Sequence, residues 1–415
     1  MKKRKFMAVL FLMFSLMGMG QTDSPAVKQL LSTAQQIDTQ YKEFTLKKDY
    51  KQAEKSLKDE LALLEQFKQL KEDISKYKSM LDNGTAMSYY NLACIYSLQK
   101  KKKPAIEAFS KAIAAGYQDY RHATQDTDLD FIRQDKKFIT LLSSIKQYDK
   151  LEILKRAKNY QREPTNSLPV FTYQSADDSN LKHVREVFKL DSVAGQGDEV
   201  SKILRILNYI HNAIRHDGTN YALCEFDAID IYNYHKSTNK GVNCRHLAIA
   251  LSEMYLSMGI PSRYVTCLPK DSTDTDCHVI NAVYSQQLKK WIWIDPTFNA
   301  YVKDEHGNLL GIAEVRERLI DGKPLVLNED ANWNNEFKQT KEQYLETYMA
   351  KNLYRIECKK DYYFNPESRY RKTNQQYINL VSVDFDASLY KNKRNADVIT
   401  HDVEYFWQAP SVTKQ

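Results

Sequence analysis

The stretch "GVNCRHLAIALSEMYLSMGIPSRYV", residues 241–265, has the pattern of an apolar helix that turns into a strand. Its large apolar side chains recur at helical spacing and predict one buried face, made of Leu247, Leu251, Met254, Tyr255 and Met258. Gly241 allows a sharp entry, and Asn243 suits the N-cap position. Gly259 suits the first position after a helix, and Pro261 cannot continue one. The stretch therefore predicts a core helix with defined ends.

Cys244 lies at the N-terminus of this helix, where two interpretations compete. A single cysteine is usually a small apolar residue buried in a core. At a helix N-terminus, however, free N–H groups and the macrodipole favour an anion, which lowers the pKa of a thiol and makes it nucleophilic. The helix alone does not decide between packing residue and nucleophile, so the choice depends on residues further along the chain.

The sequence "HVINAVYSQQLKKWIWIDPT", residues 278–297, contains two apolar runs around a polar turn and predicts a β-hairpin. If Tyr284 pairs with Lys289, the four residues 285–288 form the loop. Three further pairs then share one face: Ala282 with Trp291, Ile280 with Trp293, and His278 with Asp295. A neighbouring carboxylate orients an imidazole and stabilises its charged form, and the imidazole can accept a thiol proton. This register therefore predicts a Cys-His-Asp triad.

Three segments together resemble the motifs of the transglutaminase-like superfamily. They are residues 241–265, "DCHVINAVY" from residue 276, and "KWIWIDPTFN" from residue 290. The resemblance covers roughly residues 190–300 and implies a papain-like core, in which a helix packs on an antiparallel sheet. By position, it implies that Cys244 is the nucleophile, His278 the base and Asp295 the orienting carboxylate.

Other residues of the predicted site are less regular. Arg245 and His246 stand where the family more commonly has an acidic and an aromatic residue. No side chain is assigned to the oxyanion, for which the backbone N–H of Cys244 is the predicted donor. Trp291 and Trp293 are predicted to exclude water and to line a hydrophobic groove for the substrate.

The predicted chemistry is cysteine-dependent acyl transfer on amide bonds through an acyl-thioester, with hydrolysis of a peptide or protein substrate favoured. An amine acceptor in place of water makes the same residues a cross-linking transglutaminase. A third interpretation is a non-catalytic interaction protein with an inactive core of this fold. The presence of all three triad members favours an enzyme. No cofactor is predicted.

A zinc site is a competing interpretation, since Cys244, His246, Cys277 and His278 are all zinc-type ligands. Adjacent residues on a strand point to opposite faces, so Cys277 and His278 do not readily share one ion. His246 lies two residues after Cys244, about 200° around the helix. The spacing therefore argues against a metal.

Residues 1–20 have the layout of a secretory signal peptide, with a basic start at 2–5, an apolar run over 6–17 and small residues before position 21. Its removal is expected to leave an exported protein, periplasmic or extracellular, with no stable membrane insertion. Losing four basic residues lowers the formal net charge from +7 to +3. So mild a charge gives little support for a nucleic-acid partner.

All six cysteines follow the predicted signal peptide, at positions 94, 224, 244, 267, 277 and 358. An oxidising compartment permits disulfides. Cys267 ends one predicted strand and Cys277 precedes the strand of His278, so a Cys267–Cys277 bridge over residues 268–276 is left open.

Residues 24–150 predict a helical region with little Pro or Gly. Within "YYNLACIYSLQKKKKPAIEAFSKAIAAGY", which starts at residue 89, large and small side chains have the spacing of a tetratricopeptide repeat. The positions concerned are Tyr89, Leu92, Ala93, Tyr96, Ala105, Phe109 and Ala112. The resemblance implies a helical hairpin that either binds a protein partner in its groove or serves for packing.

The predicted fold class is α+β, and the chain is predicted to consist of five parts. They are a signal peptide over 1–20, a tetratricopeptide-repeat-like domain over 24–150, a linker over 151–189, a transglutaminase-like catalytic core over 190–335, and a β-rich C-terminal extension over 336–415.

Overall fold

The computed structural model describes residues 23–157, 159–161, 168–370, 375–386, 388 and 397–411. The predicted signal peptide, residues 1–20, lies outside them. The chain divides into two compact units, Met1–Glu152 and Ile153–Gln415. Within the described residues, every helix is too short or too polar to cross a membrane.

The described part of the first unit consists of helices. In chain order they are α1 Pro25–Leu46, α2 Tyr50–Lys68, α3 Lys78–Leu98, α4 Lys102–Ala114, α5 Tyr120–Gln125, α6 Lys136–Ile145 and α7 Lys150–Lys155, with 3-10 turns at Ser75–Tyr77, Thr127–Leu129 and Lys146–Tyr148. The side chains of Ser24 and Asp49 accept hydrogen bonds from backbone N–H groups at the starts of α1 and α2. The predicted helical region is confirmed.

Helices α3 and α4 form a hairpin that packs through small side chains. Ala93 on α3 and Ala105 on α4 have no exposed surface, and neither does Phe109. Small residues at a helix contact let the two backbones approach closely, as the sequence predicts. The assignment of this region as a tetratricopeptide repeat stays a prediction.

The second unit is built around a six-stranded sheet with the order β12-β11-β9-β2-β3-β4. The strands are β2 Ser262–Leu268, β3 His278–Ser285, β4 Lys290–Ile294, β9 Arg355–Lys359, β11 Tyr377–Leu380 and β12 Val398–Thr400. All neighbours are antiparallel except β11 and β12, which run parallel. With helices on this sheet, the α+β fold class is confirmed.

Three short strand pairs lie outside the main sheet. They are β1 Thr172–Tyr173 with β10 Asp361–Tyr362, β5 Val302–Lys303 with β6 Val326–Leu327, and β7 Asn332–Trp333 with β8 Phe337–Lys338. The first pair is parallel and the other two are antiparallel.

The helices of the second unit surround one central helix, α12 Cys244–Ser257. The others are α8 Ser179–Val187, α9 Leu190–Ala194, α10 Glu199–Ala213, α11 Ala228–Thr238, α13 Ile312–Asp321, a π-helix Glu342–Met349, α14 Ala350–Asn352 and α15 Val403–Phe406. Helix α12 packs against β2 and β3, and also against α8, α10 and α11. Every residue from His246 to Ser257 is therefore buried. The helix is buried on all sides, and not only on the apolar face that the sequence predicts.

The ends of α12 follow the sequence prediction. The Asn243 carboxamide oxygen accepts from the backbone N–H of His246 at 3.2 Å. Gly259 has a φ of +73°, a left-handed conformation that glycine adopts without strain, and Pro261 follows it. The sequence thus fixes the position of Cys244 in the first turn.

The β3–β4 register differs from the predicted one by two residues. Tyr284 pairs with Trp291, not with Lys289, and Ala282 pairs with Trp293. The loop comprises residues 286–289, where Lys289 has a φ of +53°, and the Glu199 carboxylate accepts backbone N–H groups of this loop. A shift of two preserves the face on which each side chain lies, so His278 and Asp295 stay on the same side.

Two predicted domain boundaries need correction. Residues 172–189, assigned to a linker, form β1 and α8, and Val184 and Phe188 belong to the core around α12. Residues 336–415, assigned to an extension, supply three of the six strands of the main sheet. Short strands with irregular connections have weak sequence patterns, so the sequence does not show that these strands join the main sheet.

A partly buried ion pair ties the first turn of α12 to residues that come after β10. Arg245 Nε donates to Glu367 Oε2 at 2.8 Å and Nη2 donates to Oε1 at 2.5 Å. The hydroxyls of Tyr264 and Tyr377 also donate to Glu367 Oε1, at 3.0 Å each. Burial raises the pKa of Glu367, but the charge and hydrogen bonds of Arg245 lower it by more, to about 2.

We expect Arg245→Met to lower the free energy of unfolding by about 1.5–3 kcal/mol, because it removes the charged hydrogen-bond partner of a largely buried carboxylate. The double variant Arg245→Met, Glu367→Gln should recover much of this loss. Chemical denaturation at neutral pH measures both. Equal losses in the single and double variants would contradict a charge-pair origin.

The same pair sets a pH dependence. Since the pKa of Glu367 is lowered by folding, its stabilising effect is present above the ordinary value of 4.5 and is lost as pH falls toward about 2. As pH falls from 4.5 toward about 2, the free energy of unfolding of Arg245→Met should therefore decrease less than that of the wild type. Chemical denaturation over this pH range measures the difference.

Candidate active site

The structure brings His278 and Asp295 into direct contact. His278 Nε2 lies 2.7 Å from Asp295 Oδ2, and both side chains are almost fully buried. His278 begins β3 and Asp295 directly follows β4. The paired strands therefore deliver the imidazole and the carboxylate to the same edge of the hairpin.

A tight loop after β4 fixes the Asp295 carboxylate. Asp295 and Ala300 exchange two backbone hydrogen bonds, of 2.8 and 3.0 Å, which close residues 295–300 into a turn. Asn299 takes a left-handed φ of +48° within it. The backbone N–H of Thr297 donates to Asp295 Oδ1 at 2.9 Å, so the oxygen that does not face His278 is also occupied.

Tyr344, on the π-helix, also bonds the carboxylate oxygen that faces His278. Its hydroxyl donates to Asp295 Oδ2 at 2.5 Å and accepts from the indole Nε1 of Trp293 at 3.1 Å. A carboxylate held by several donors keeps its orientation toward the imidazole.

Cys244 completes the cluster from the N-terminus of α12. Its half-buried sulfur is hydrogen-bonded with His278 and with His216, and the backbone N–H of Val279 also donates to it. Burial raises the pKa of the Cys244 thiol, but these hydrogen bonds and the charge of His278 lower it by more, to about 6. The three residues predicted as a triad therefore lie together in the structure.

The His278 imidazole has the complementary shift. Burial lowers its pKa, but the charge of Asp295, the hydrogen bond to Asp295 and the hydrogen bond to Cys244 raise it to about 10. At neutral pH these directions favour a thiolate beside an imidazolium. The rings of Phe298 and Tyr348 contact the imidazole, with centroids at 5.5 and 5.2 Å, and limit its exposure to water.

A side-chain hydrogen bond sets α12 relative to β3. Asn281 Nδ2 donates to the carbonyl oxygen of Ala248 at 2.8 Å. Asn281 is three residues after His278, and Ala248 is four residues after Cys244. This bond therefore fixes the helix against the strand close to both reacting groups.

The remaining cysteines have no comparable environment. Burial raises the pKa of each of these thiols above its ordinary value, namely those of Cys94, Cys224, Cys267, Cys277 and Cys358. All six cysteines are free. Cys267 pairs with His278 across β2 and β3, and so faces the side opposite to Cys277. The structure therefore contains no Cys267–Cys277 bridge.

The two tryptophans predicted to bind substrate are buried instead. Trp293 has no exposed surface and supports Tyr344. Trp291 lies next to the hairpin loop and is 5% exposed, and its ring centroid is 4.4 Å from the Arg263 guanidinium. The prediction of a groove lined by these two rings is wrong, because Arg263 and Tyr344 pack on them and cover this face of the hairpin.

The structure also accounts for the unusual pair after Cys244. Arg245 forms the ion pair with Glu367, and His246 is buried, with its ring stacked on Phe226 at 4.8 Å. Burial lowers the pKa of His246 to about 4. Neither side chain is among those bonded to the Cys244 sulfur.

Several residues next to the reacting groups are not predicted from the sequence, among them His216 and Tyr344. His216 comes 28 positions before Cys244 and Tyr344 comes 49 positions after Asp295. Neither occurs in the motifs that identified the triad. Residue 216 pairs with residue 242 near Cys244, but this isolated bridge has no strand pattern in the sequence that would predict it.

Residues 188–296 match the family model of the Transglutaminase-like superfamily. This part of the chain is therefore similar to transglutaminase-like domains. The matched range contains Cys244, His278 and Asp295, and it ends before Tyr344 and Glu367, which support them.

Two further comparisons cover less of the chain. A chloroplastic protein from Arabidopsis thaliana is 30% identical over 128 residues, which are 29% of this chain and 37% of that protein. The chain thus spans little more than a third of that relative's length. A crystal structure from Cytophaga hutchinsonii, described as a candidate cysteine protease, is 20% identical over 34% of this chain and 46% of that one, with a TM-score of 0.22. At that score the likeness supports no inference.

We expect Cys244 to react with iodoacetamide faster than the other five cysteines at neutral pH, because it alone combines a lowered thiol pKa with partial exposure. Peptide mapping along a labelling time course measures the six rates. In His278→Ala, the rate at Cys244 should fall while those at the half-buried Cys224 and Cys277 stay unchanged. Equal rates at all three half-buried thiols would contradict an activated Cys244.

Proposed function

We propose that the protein is a cysteine-dependent acyltransferase acting on amide bonds of peptides or proteins, with water as the usual acceptor. One observation supports this most directly. The Cys244 sulfur, at the N-terminus of a buried helix, is hydrogen-bonded with an imidazole that itself contacts a buried carboxylate at 2.7 Å. Nucleophile, base and orienting group are thereby arranged in the order that acyl transfer requires.

In the proposed acylation step, the Cys244 thiolate attacks the amide carbonyl carbon. The new S–C bond forms as the C=O electron pair moves to oxygen. When the C–N bond breaks, the His278 imidazolium gives its proton to the departing amine, and an acyl-thioester remains. Asp295 keeps the ring oriented and stabilises its charged form through the hydrogen bond to Nε2.

In the deacylation step, the now neutral His278 accepts a proton from the attacking water. The C–S bond breaks, releasing a carboxylic acid and restoring the thiolate–imidazolium pair. A primary amine in place of water would give an amide product and make the reaction a cross-linking one. The same three side chains serve both outcomes, so product analysis must separate them.

We also propose that the protein is exported and that its N-terminal helices bind a protein partner. Export through residues 1–20 would place the reaction in the periplasm or outside the cell. The helical region of residues 24–150 would bind a protein partner, with the tetratricopeptide-like hairpin as the contact.

Three substitutions test the roles on a peptide-amide substrate. Cys244→Ala should abolish turnover. His278→Ala should lower it by ~10²–10⁴-fold, the usual contribution of a general base. Asp295→Asn should cost about 10²-fold, less than in a serine enzyme, because a preformed thiolate needs less help. Wild-type turnover in a folded Cys244→Ala variant would overturn the proposal.

The matched control is Cys224→Ala, which removes a half-buried thiol outside the triad and should leave turnover unchanged. Mass spectrometry of products, with and without an added primary amine, identifies the acceptor. Predominant carboxylic acid in the presence of amine supports hydrolysis, whereas amide as the main product assigns cross-linking.

A further inference from the structure

His216 is held beside the entry to α12. The backbone N–H of Asp217 donates to the carbonyl oxygen of Val242 at 2.8 Å, and His216 pairs with Val242 in parallel. The two segments approach so closely that a Cβ on Gly241 would lie 2.7–2.9 Å from atoms of His216 and Asp217. Gly241 is therefore required here, and the pairing brings His216 next to Cys244.

A hairpin made of β7 and β8 fixes both the backbone and the ring of His216. Asn334, at its turn, accepts from the His216 N–H and donates to the His216 carbonyl oxygen, each at 2.9 Å. Trp333 Nε1 lies 2.9 Å from His216 Nδ1. Three hydrogen bonds from two adjacent residues thus converge on one histidine.

The contact with Trp333 determines the tautomer of His216. An indole N–H can only donate, so Nδ1 must accept and carries no hydrogen. The hydrogen of the neutral ring is then on Nε2, and an imidazolium would place two donors against each other. His216 therefore cannot accept a proton from the thiol at Nε2, and it differs in this respect from His278.

Because Trp333 takes Nδ1, Nε2–H is the group of His216 that is left to bond the reacting sulfur. The sulfur of Cys244 is hydrogen-bonded with His216, whose other nitrogen is taken by Trp333. In the resting site this N–H donates to the thiolate. When the thiolate attacks a carbonyl, negative charge leaves sulfur and appears on an oxygen bonded to the same carbon, beside the same donor.

We propose that His216 is a catalytic residue that donates from Nε2–H to the oxyanion of acyl transfer, and that Trp333 is the positioning residue that keeps the hydrogen on Nε2. This inference rests on the proposed function of Cys244. The backbone N–H of Cys244, in the first turn of α12, is the second donor. A donor fixed before the reaction stabilises the developing charge without the cost of reorganisation.

The test compares two reactions of Cys244 that differ in whether an oxyanion forms. Transfer from p-nitrophenyl acetate passes through one, whereas alkylation by iodoacetamide at a saturated carbon does not. In His216→Ala, acyl transfer should fall by ~10²–10³-fold, the loss typical of one missing oxyanion donor. Alkylation should fall by less than about tenfold, because His278 still activates the thiol.

His216→Gln is the conservative variant, since its carboxamide keeps an N–H donor near the same place. It should recover at least about tenfold of the acyl transfer lost in His216→Ala. An equal fall of alkylation and acyl transfer in both folded variants would show that His216 affects only the thiol, and would overturn the proposal.

Trp333→Phe tests the positioning role by the same comparison of two reactions. Without the indole donor the neutral ring can carry its hydrogen on Nδ1, which weakens donation from Nε2. Acyl transfer should then fall by up to ~10²-fold, while alkylation stays near the wild-type rate. In a His216→Gln background the same substitution should not lower acyl transfer further, because the effect acts through the imidazole. An equal fall in both backgrounds would assign Trp333 a purely structural role.

Failure of this inference is distinguishable from failure of the proposed function. If p-nitrophenyl acetate is turned over equally by wild type and Cys244→Ala, both proposals are overturned. If turnover depends on Cys244 and is unchanged in folded His216→Ala, only the role of His216 is overturned.

Discussion

The contact between His278 and Asp295 is the interaction on which the rest of the site depends. Both side chains are buried, and burial of an ion is costly unless each charge has a partner. Tyr344 and the backbone N–H of Thr297 satisfy the carboxylate on one side, while the Cys244 sulfur faces the imidazole on the other. The carboxylate, the imidazolium and the thiolate therefore lie in a row, and each has a partner that compensates its burial.

The elements that hold these three groups in place come from the whole second unit. Residues 188–296, which match the transglutaminase-like family model, supply Cys244, His278 and Asp295. Residues beyond it hold these groups in place, since strand β9 pairs with β2, Tyr344 bonds the carboxylate and Glu367 anchors the turn that contains Arg245. The C-terminal residues are therefore part of the fold of the site and not an appendage to it.

Much of the site could be predicted from the sequence because its determinants are local. The cap at Asn243, the stop at Gly259 and the alternation along β3 and β4 place the reacting side chains without knowledge of the fold. The two-residue register shift left that result intact, and it arises because the sequence does not reveal that Glu199 caps the hairpin loop. Trp291 and Trp293 are buried because Arg263 and Tyr344, from other segments, pack on them. Tyr344 and His216 depend on contacts between distant segments, and no local pattern marks such contacts.

The central claim is that Cys244 rests as a thiolate stabilised by His278. The most direct measurement is the ultraviolet absorbance of the thiolate, taken as the difference between wild type and Cys244→Ala over a pH series. The account predicts a midpoint near pH 6 in the wild type, because the thiol pKa is lowered to about 6. In His278→Ala the midpoint should move up toward ~8.5, the value of an ordinary thiol. A wild-type midpoint near that ordinary value, or one that His278→Ala does not move, would contradict the account.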